Sequence, residues 1–110
     1  MPKAIMAVWS DPSDPDRDGE FNQWYDSTHV PDVLKVPGFK AATRYRVAGT
    51  QFGDVDTPGR YLALYEVEVD DLAEIPQGMM NAFAADELPM SDVITPGPIT
   101  IFEQVSDRIT

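Results

Sequence analysis

Hydrophobic and polar positions follow two different periods along this chain, and the changes between them predict the order of its elements. Four segments have the short apolar or alternating pattern that is typical of strands: residues 3–9, 39–47, 61–69 and 98–105. Two other segments repeat apolar residues at helical spacing: residues 20–34 and residues 79–88. Pro31 falls inside the first of these helices, so its regular part is expected to end near residue 28 or 29.

The resulting order, β-α-β-β-α-β, predicts an α+β fold of the ferredoxin-like kind, in which one antiparallel sheet carries both helices on a single face. With 110 residues the chain is long enough for one core, so residues 1–110 are expected to form a single domain. Residues 48–60 contain three of the seven glycines and no periodicity, which favours a hairpin loop between the second and third strands.

The strands are apolar on both faces, although two helices can cover only one face of the sheet. In the first strand Ile5 and Ala7 alternate with Met6 and Val8, and the third strand repeats the pattern. A sheet with one wet face should instead alternate between apolar and polar residues. We therefore expect a second copy of the chain to bury the other face in a sheet-to-sheet homodimer.

Composition and charge exclude several classes of partner. A net charge of −11 and a pI near 4.1 argue against nucleic acid and anionic membrane surfaces, which would repel the chain. The absence of cysteine excludes thiolate chemistry, and a single histidine argues against zinc or two-histidine iron sites, so no metal and no cofactor is expected. The N-terminal apolar run is too short for a signal peptide or a membrane span, so a cytoplasmic location is expected.

An acidic loop suggests calcium binding, but the spacing of its residues argues against it. Asp14, Asp16, Asp18 and Gly19 match the first half of an EF-hand calcium loop. The twelfth position, which should supply a bidentate carboxylate, is Tyr25, and two prolines prevent a preceding helix. The loop is therefore interpreted as a solvated turn.

His29 is the first candidate for catalysis, because it is the only side chain here whose ordinary pKa lies near neutrality. On a helix, Tyr25 at i−4 and Asp26 at i−3 share its face. We interpret the three as a catalytic cluster in which Asp26 orients the imidazole and Tyr25 donates a hydrogen bond. The alternative is a structural histidine at a helix end.

Aromatic side chains surround this cluster in the predicted fold. The residues expected to bind a substrate are Phe21, Trp24, Tyr45, Tyr65 and Phe83. Tyr45 and Tyr65 fall on the inward parity of their strands, whereas Arg44 falls on the outward one and is expected to reach solvent or an acidic partner. For Trp24, plain core packing is an equally good interpretation.

The segment F-N-x-W-Y-D-x-x-H-V-P-D-V-L-x-V-P-G-F, from Phe21 to Phe39, resembles the first-helix motif of EthD-like proteins in the dimeric α+β barrel superfamily. The resemblance implies a ferredoxin-like protomer, a dimer formed through the sheets, and a ligand cleft between helices and sheet. The family's helix-one histidine falls on His29 and its preceding aromatic pair on Trp24 and Tyr25.

These observations predict a cofactor-independent enzyme in which His29 is the general acid or base on a small apolar cyclic or aromatic carbonyl compound. The reaction would be of the lyase or dehydratase, isomerase or cyclase type. Two alternatives stay open: a cofactor-free monooxygenase of aromatic polyketide-like substrates, and a module that binds a small ligand without catalysis.

Overall fold

The chain forms one antiparallel four-stranded sheet with its helices on one face. The computed structural model describes residues 2–110. The strands are β1 (Lys3–Pro12), β2 (Phe39–Arg46), β3 (Tyr61–Glu68) and β4 (Ile94–Glu103). Their order in the sheet is β2-β3-β1-β4, and every neighbouring pair is antiparallel. The predicted ferredoxin-like α+β fold is confirmed.

The first helical region consists of several successive forms rather than one regular helix. A 3-10 turn (Pro15–Arg17) leads into α1 (Asp18–Trp24), a π-helical turn (Tyr25–His29) and α2 (Val30–Val33). The second region is α3 (Glu74–Ala84). None of the helices in residues 2–110 has the length and apolar character needed to cross a bilayer.

Helix α3 begins five residues earlier than the apolar stripe at 79–88 predicts. Its start is stabilised by reciprocal capping: the Asp71 backbone N–H donates to Glu74 Oε2 at 2.7 Å, and the Ala73 N–H donates to Asp71 Oδ1 at 2.9 Å. Pro76 is tolerated because it lies in the first turn, where its missing N–H has no helical partner. The prediction began the helix late because Pro76 and Gly78, which both disfavour helix, stand in this turn, although its apolar residue Ile75 is completely buried.

Strand β4 also starts earlier than predicted, at Ile94 instead of residue 98. It lies at the edge of the sheet, where Pro96 and Pro98 cost few ladder hydrogen bonds. The register with β1 shifts opposite Trp9, and a Cβ on Gly97 would lie 2.6 Å from the Trp9 carbonyl oxygen. Glycine at this point therefore allows the bulge that brings the two backbones together.

The core lies between the helices and one face of the sheet. The largest fully buried side chains from the helical region are Phe21, Tyr25, Val33 and Ile75. They pack against Met6, Tyr65 and Val67 of the sheet.

The opposite face of the sheet is also largely apolar, as predicted. The register places Ile5, Ala7, Trp9, Leu62, Leu64, Tyr45 and Phe102 on it, and we call these residues the outer face. Tyr45 and Phe102 are 52% and 55% exposed. No helix in residues 2–110 packs on the outer face, so its burial by a second copy stays a prediction.

The predicted inward position of Tyr45 is wrong, and the reason is a single irregularity at the start of β2. Phe39 is buried against the core, but the register with β3 shifts between Phe39 and Ala41. A shift of one residue transfers every later side chain to the other face. Arg44, paired with Ala63, consequently lies on the helix side, whereas the sequence predicts that it faces outward.

Gly38 supplies the turn that leads into β2. Its φ is +91°, and an added Cβ would lie 2.7 Å from Val69 Cγ1 and 2.8 Å from the Glu68 carbonyl oxygen. We expect Gly38→Ala to lower the free energy of unfolding by about 2 kcal/mol, because the strained φ and the backbone clash add together. Urea denaturation measures the change. Gly49→Ala, where nothing lies within 4 Å of the added Cβ, should have little effect.

Candidate functional site

A cavity of about 270 Å³ lies between the helical layer and the edge of the sheet formed by β1 and β4. Most of its lining is apolar, including Met6, Val33, Met79, Phe83, Met90 and Ile99. Its hydroxyl and imidazole groups are those of Tyr25, Tyr65 and His29, Trp9 also lines it, and the lining contains no Asp, Glu, Lys or Arg. Three other depressions, of about 340, 350 and 450 Å³, are larger, but none of them has a buried polar side chain in its lining.

The π-helical turn places His29 beside this cavity. The backbone N–H of Val30 donates to the carbonyl of Tyr25, five residues back, rather than four. Pro31 explains the wider turn, because in an α-helix its ring would clash with the carbonyl of Ser27, four residues before it. The sequence predicts that Pro31 interrupts the helix; the structure shows that the chain widens by one residue and continues.

The wide turn packs the imidazole of His29 between two aromatic side chains of the same helical region. His29 stacks on Trp24, with ring centroids 4.9 Å apart and an interplanar angle of 19°. These residues are five apart, a spacing that a regular α-helix does not bring to one face. Tyr25 meets His29 edge to face at 5.0 Å. His29 is thereby held at 6% exposure by its two aromatic neighbours.

Three buried polar atoms on residues that line the cavity make no hydrogen bond of normal geometry: Tyr25 Oη, Tyr65 Oη and His29 Nδ1. The two hydroxyls are close enough to influence each other, and Ser10 influences that of Tyr25, but none of these pairs has hydrogen-bond geometry. Buried polar atoms are nearly always paired, since an unpaired one costs about 1–3 kcal/mol. Three such atoms on residues that line a single cavity make this cavity the candidate functional site.

Burial shifts the pKa of each of these three groups towards its neutral form. It lowers the pKa of His29, an effect that nearby Asp32 opposes and the charge of Arg44 reinforces. It raises the pKa of Tyr25, which the neighbouring Tyr65 hydroxyl and the charge of Arg44 partly offset. It also raises the pKa of Tyr65 far above its ordinary value. At neutral pH the site therefore holds a neutral imidazole and two protonated phenols.

The lowered pKa of His29 predicts a loss of stability in mild acid. Below the ordinary pKa of 6.5, the unfolded chain takes up a proton that the folded chain resists. The free energy of unfolding should therefore fall with decreasing pH, by at most about 1.4 kcal/mol per pH unit, until the folded-state pKa is reached. Urea denaturation of the wild type and His29→Gln across this range isolates the effect. Equal pH dependence in both proteins would contradict it.

The structure brings together four of the eight side chains predicted for the site. Tyr25, His29, Tyr65 and Phe83 all line the cavity. Phe21 is completely buried behind them, where its ring contacts those of Tyr25 and Tyr61. Trp24 acts on the site through its stacking on His29 rather than through the lining. Tyr45 lies on the outer face, as described above.

Asp26 has a different partner from the one that the sequence predicts. Its carboxylate accepts a hydrogen bond from Arg44 Nη1 at 2.8 Å, and its side chain is 66% exposed. His29 Nδ1 has no partner, so Asp26 does not bind that nitrogen. The helical spacing i−3 fails here because the π-helical turn begins at Tyr25 and separates the two side chains.

Arg44 is the residue near the site that sequence reasoning missed. Its guanidinium carbon lies 4.3 Å from the centroid of the Tyr25 ring, and its side chain is 14% exposed. Alternation along β2 indicated the opposite face, and only the bulge after Phe39 reverses it. Ser10 was missed as well; it is 2% exposed and lies near the Tyr25 hydroxyl, whose pKa it helps to lower.

The fold and the cavity define a ferredoxin-like α+β protein with a small, apolar cavity, and comparison with known proteins agrees with that fold. An EthD-family protein from Bacillus halodurans has 21% sequence identity and a TM-score of 0.59, over 96% of this chain and 100% of its own. HapK from Hahella chejuensis has 14% identity and a TM-score of 0.62, over 100% and 98%. An EthD-like protein from Ralstonia eutropha has 17% identity and a TM-score of 0.62, over 98% and 96%.

These likenesses give the chain an EthD-like fold over its full length, which confirms at the level of fold the resemblance of the segment Phe21 to Phe39. No family model matches the sequence, and no curated protein matches it.

Proposed function

We propose that this protein is a cofactor-independent enzyme that moves a proton at a carbon next to the carbonyl group of a small, largely apolar cyclic or aromatic compound. The observation that carries the proposal is the set of three unpartnered polar atoms, Tyr25 Oη, Tyr65 Oη and His29 Nδ1, at one apolar cavity. The carbonyl oxygen of a compound that fits this cavity would accept hydrogen bonds from the two hydroxyl groups, and its α-carbon would lie near the imidazole.

Each polar group has a distinct part in the proposed reaction. His29 is kept neutral by burial, so it is able to accept the α-proton and return it. The two tyrosines are kept protonated, so they are able to donate hydrogen bonds to the carbonyl oxygen as it gains negative charge. Trp24 fixes the plane of the imidazole by stacking. Elimination, isomerisation and ring closure all share this first step.

Hydrogen exchange tests the proposal with model compounds in place of the natural substrate. A panel of cyclic ketones and lactones is incubated with the protein in D2O, and deuterium at the α-carbon is followed by NMR. We expect catalysed exchange with at least one compound. Binding without exchange would overturn the enzymatic proposal in favour of a ligand-binding module, and oxygen consumption with exchange absent would favour an oxygenase.

We also propose that the outer face is buried in a homodimer. Trp9, Leu62 and Leu64 are only partly covered there, and Tyr45 and Phe102 are more than half exposed. Exposed apolar patches of this kind mark interaction surfaces, and a twofold axis lets one patch pair with itself.

Leu64→Glu should dissociate this dimer, because it would place two buried carboxylates near each other across the twofold axis. Light scattering after size exclusion should give twice 12.2 kDa for the wild type and 12.2 kDa for the variant. Gln77→Glu, on the exposed surface of α3, adds the same charge elsewhere and should remain dimeric. A monomeric wild type at micromolar concentration would refute the proposal.

A further inference from the structure

Arg44 lies directly behind the wall of the cavity. Its guanidinium carbon is 4.3 Å from the centroid of the Tyr25 ring, and two further rings, those of Phe21 and Tyr61, have centroids at 5.5 and 5.6 Å. A guanidinium stacked on an aromatic face is attracted by the ring quadrupole. The cation is thus enclosed by aromatic rings, on the far side of the phenol whose hydroxyl belongs to the candidate site.

Two hydrogen bonds hold this cation in place. Nη2 donates to Asn22 Oδ1 at 2.9 Å, and Nη1 donates to Asp26 Oδ1 at 2.8 Å. Asp26 is 66% exposed, whereas the Arg44 side chain is 14% exposed. Because water screens the carboxylate more than the guanidinium, the carboxylate neutralises the charge only in part on the side of the rings.

The position of Arg44 discriminates between kinds of negative charge. The guanidinium is not part of the cavity lining, so a carboxylate or phosphate group would find no direct ion pair there. A single oxygen that accepts hydrogen bonds from Tyr25 and Tyr65 would instead feel the charge through the Tyr25 ring. If that oxygen is attached to an aromatic ring or an enol, its negative charge is delocalised over the ligand, and a delocalised charge costs less to bury against the apolar lining than a localised one.

We propose that the cavity selects phenols and enols, whose O–H proton is donated towards the unpartnered Nδ1 of His29 while their oxygen, gaining negative charge, accepts hydrogen bonds from the two tyrosine hydroxyls. Arg44 is then the positioning residue that supplies the selectivity through Tyr25. The inference rests on the proposed function, since it concerns the same cavity. Filled at protein packing density, 270 Å³ accommodates roughly a dozen non-hydrogen atoms, which corresponds to one ring or two fused rings.

Binding of substituted phenols and naphthols of graded acidity, all neutral in solution at the pH used, tests the inference. Calorimetry gives the affinity of each compound, and the slope of log affinity against acidity is compared between proteins. We expect a positive slope for the wild type. In Arg44→Gln the most acidic phenol should lose about tenfold in affinity and the least acidic about twofold, so that the slope flattens.

A matched control comes from Arg60, whose guanidinium carbon lies 5.7 Å from the Tyr61 ring centroid in an exposed position outside the cavity. Arg60→Gln should keep the wild-type slope. Arg44→Lys keeps the charge and should keep most of the slope. An equal loss of affinity across the whole series in Arg44→Gln would overturn the inference, because that is the result expected from a purely structural role.

Asp26→Asn keeps the test decisive if Arg44→Gln does not fold, because Asp26 is 66% exposed and asparagine keeps an oxygen that accepts the hydrogen bond from Arg44. Removing its carboxylate leaves the charge of Arg44 less neutralised, so the slope should steepen, by about twofold for the most acidic phenol. An unchanged slope would overturn the inference. Deuterium exchange of cyclic ketones with a flat phenol slope would refute the inference alone, whereas a steep slope without exchange would refute the proposed reaction alone.

Discussion

His29→Gln should reduce α-proton exchange by about a hundred- to ten-thousand-fold, which is the usual contribution of a general acid or base. Glutamine retains polarity and approximate size but does not titrate, so it is unable to accept the proton. The exchange assay in D2O described above provides the measurement, with circular dichroism as the check on folding.

Gln23→Ala is the matched control, because Gln23 is an exposed residue of α1, the helix that leads into the turn carrying His29. Its exchange rate should equal that of the wild type. A His29→Gln protein that is folded and exchanges protons at the wild-type rate would remove His29 from the mechanism and leave the cavity as a binding site.

Tyr65→Phe should raise the free energy of unfolding by about 1 kcal/mol, since it removes a buried hydroxyl that has no partner in the free protein. Tyr61→Phe should have the opposite effect and lower it by about 1–2 kcal/mol. The Tyr61 hydroxyl donates to Asp18 Oδ1 at 2.5 Å and accepts from Asn22 Nδ2 at 3.2 Å. Thermal and urea denaturation of the two variants measures this contrast.

The same pair of variants separates stability from function. Tyr65→Phe should bind cavity ligands more weakly although it is more stable, because the hydroxyl that destabilises the free protein is the one expected to contact the ligand. A Tyr65→Phe protein that is less stable than the wild type would show that the hydroxyl has a partner when folded. In that case the site would lose one of the three atoms that define it.

The fold could be predicted from the sequence because the apolar residues of most elements repeat with the period of a strand or of a helix. The alternation in residues 61–69 corresponds to β3, and the helical spacing from residue 20 corresponds to the first helical region. The errors lie where proline and glycine interrupt an element. Pro76 and Gly78 near the start of α3, and Pro96 and Pro98 in edge strand β4, made both elements seem to begin later than they do.

Only part of the candidate site could be predicted from the sequence. A histidine and a tyrosine four residues apart share a helix face, which predicts that His29 and Tyr25 meet, and their ring centroids are 5.0 Å apart in the structure. The stacking of Trp24 on His29 was not foreseeable from that spacing, because it depends on the π-helical turn. The three unpartnered atoms emerge only when helix and sheet are packed together.

The sequence by itself determined the order of elements and the apolar character of both sheet faces, and it singled out His29 as the only histidine of the chain. Tertiary structure decided which side chains meet. Because side chains alternate along a strand, the single bulge after Phe39 exchanged Tyr45 for Arg44 on the inner face. Because Pro31 widens one turn, Asp26 is hydrogen-bonded to Arg44 rather than to His29, and Trp24 stacks on His29. Both outcomes depend on a one-residue change in register, which pairing and packing set and which local periodicity does not reveal.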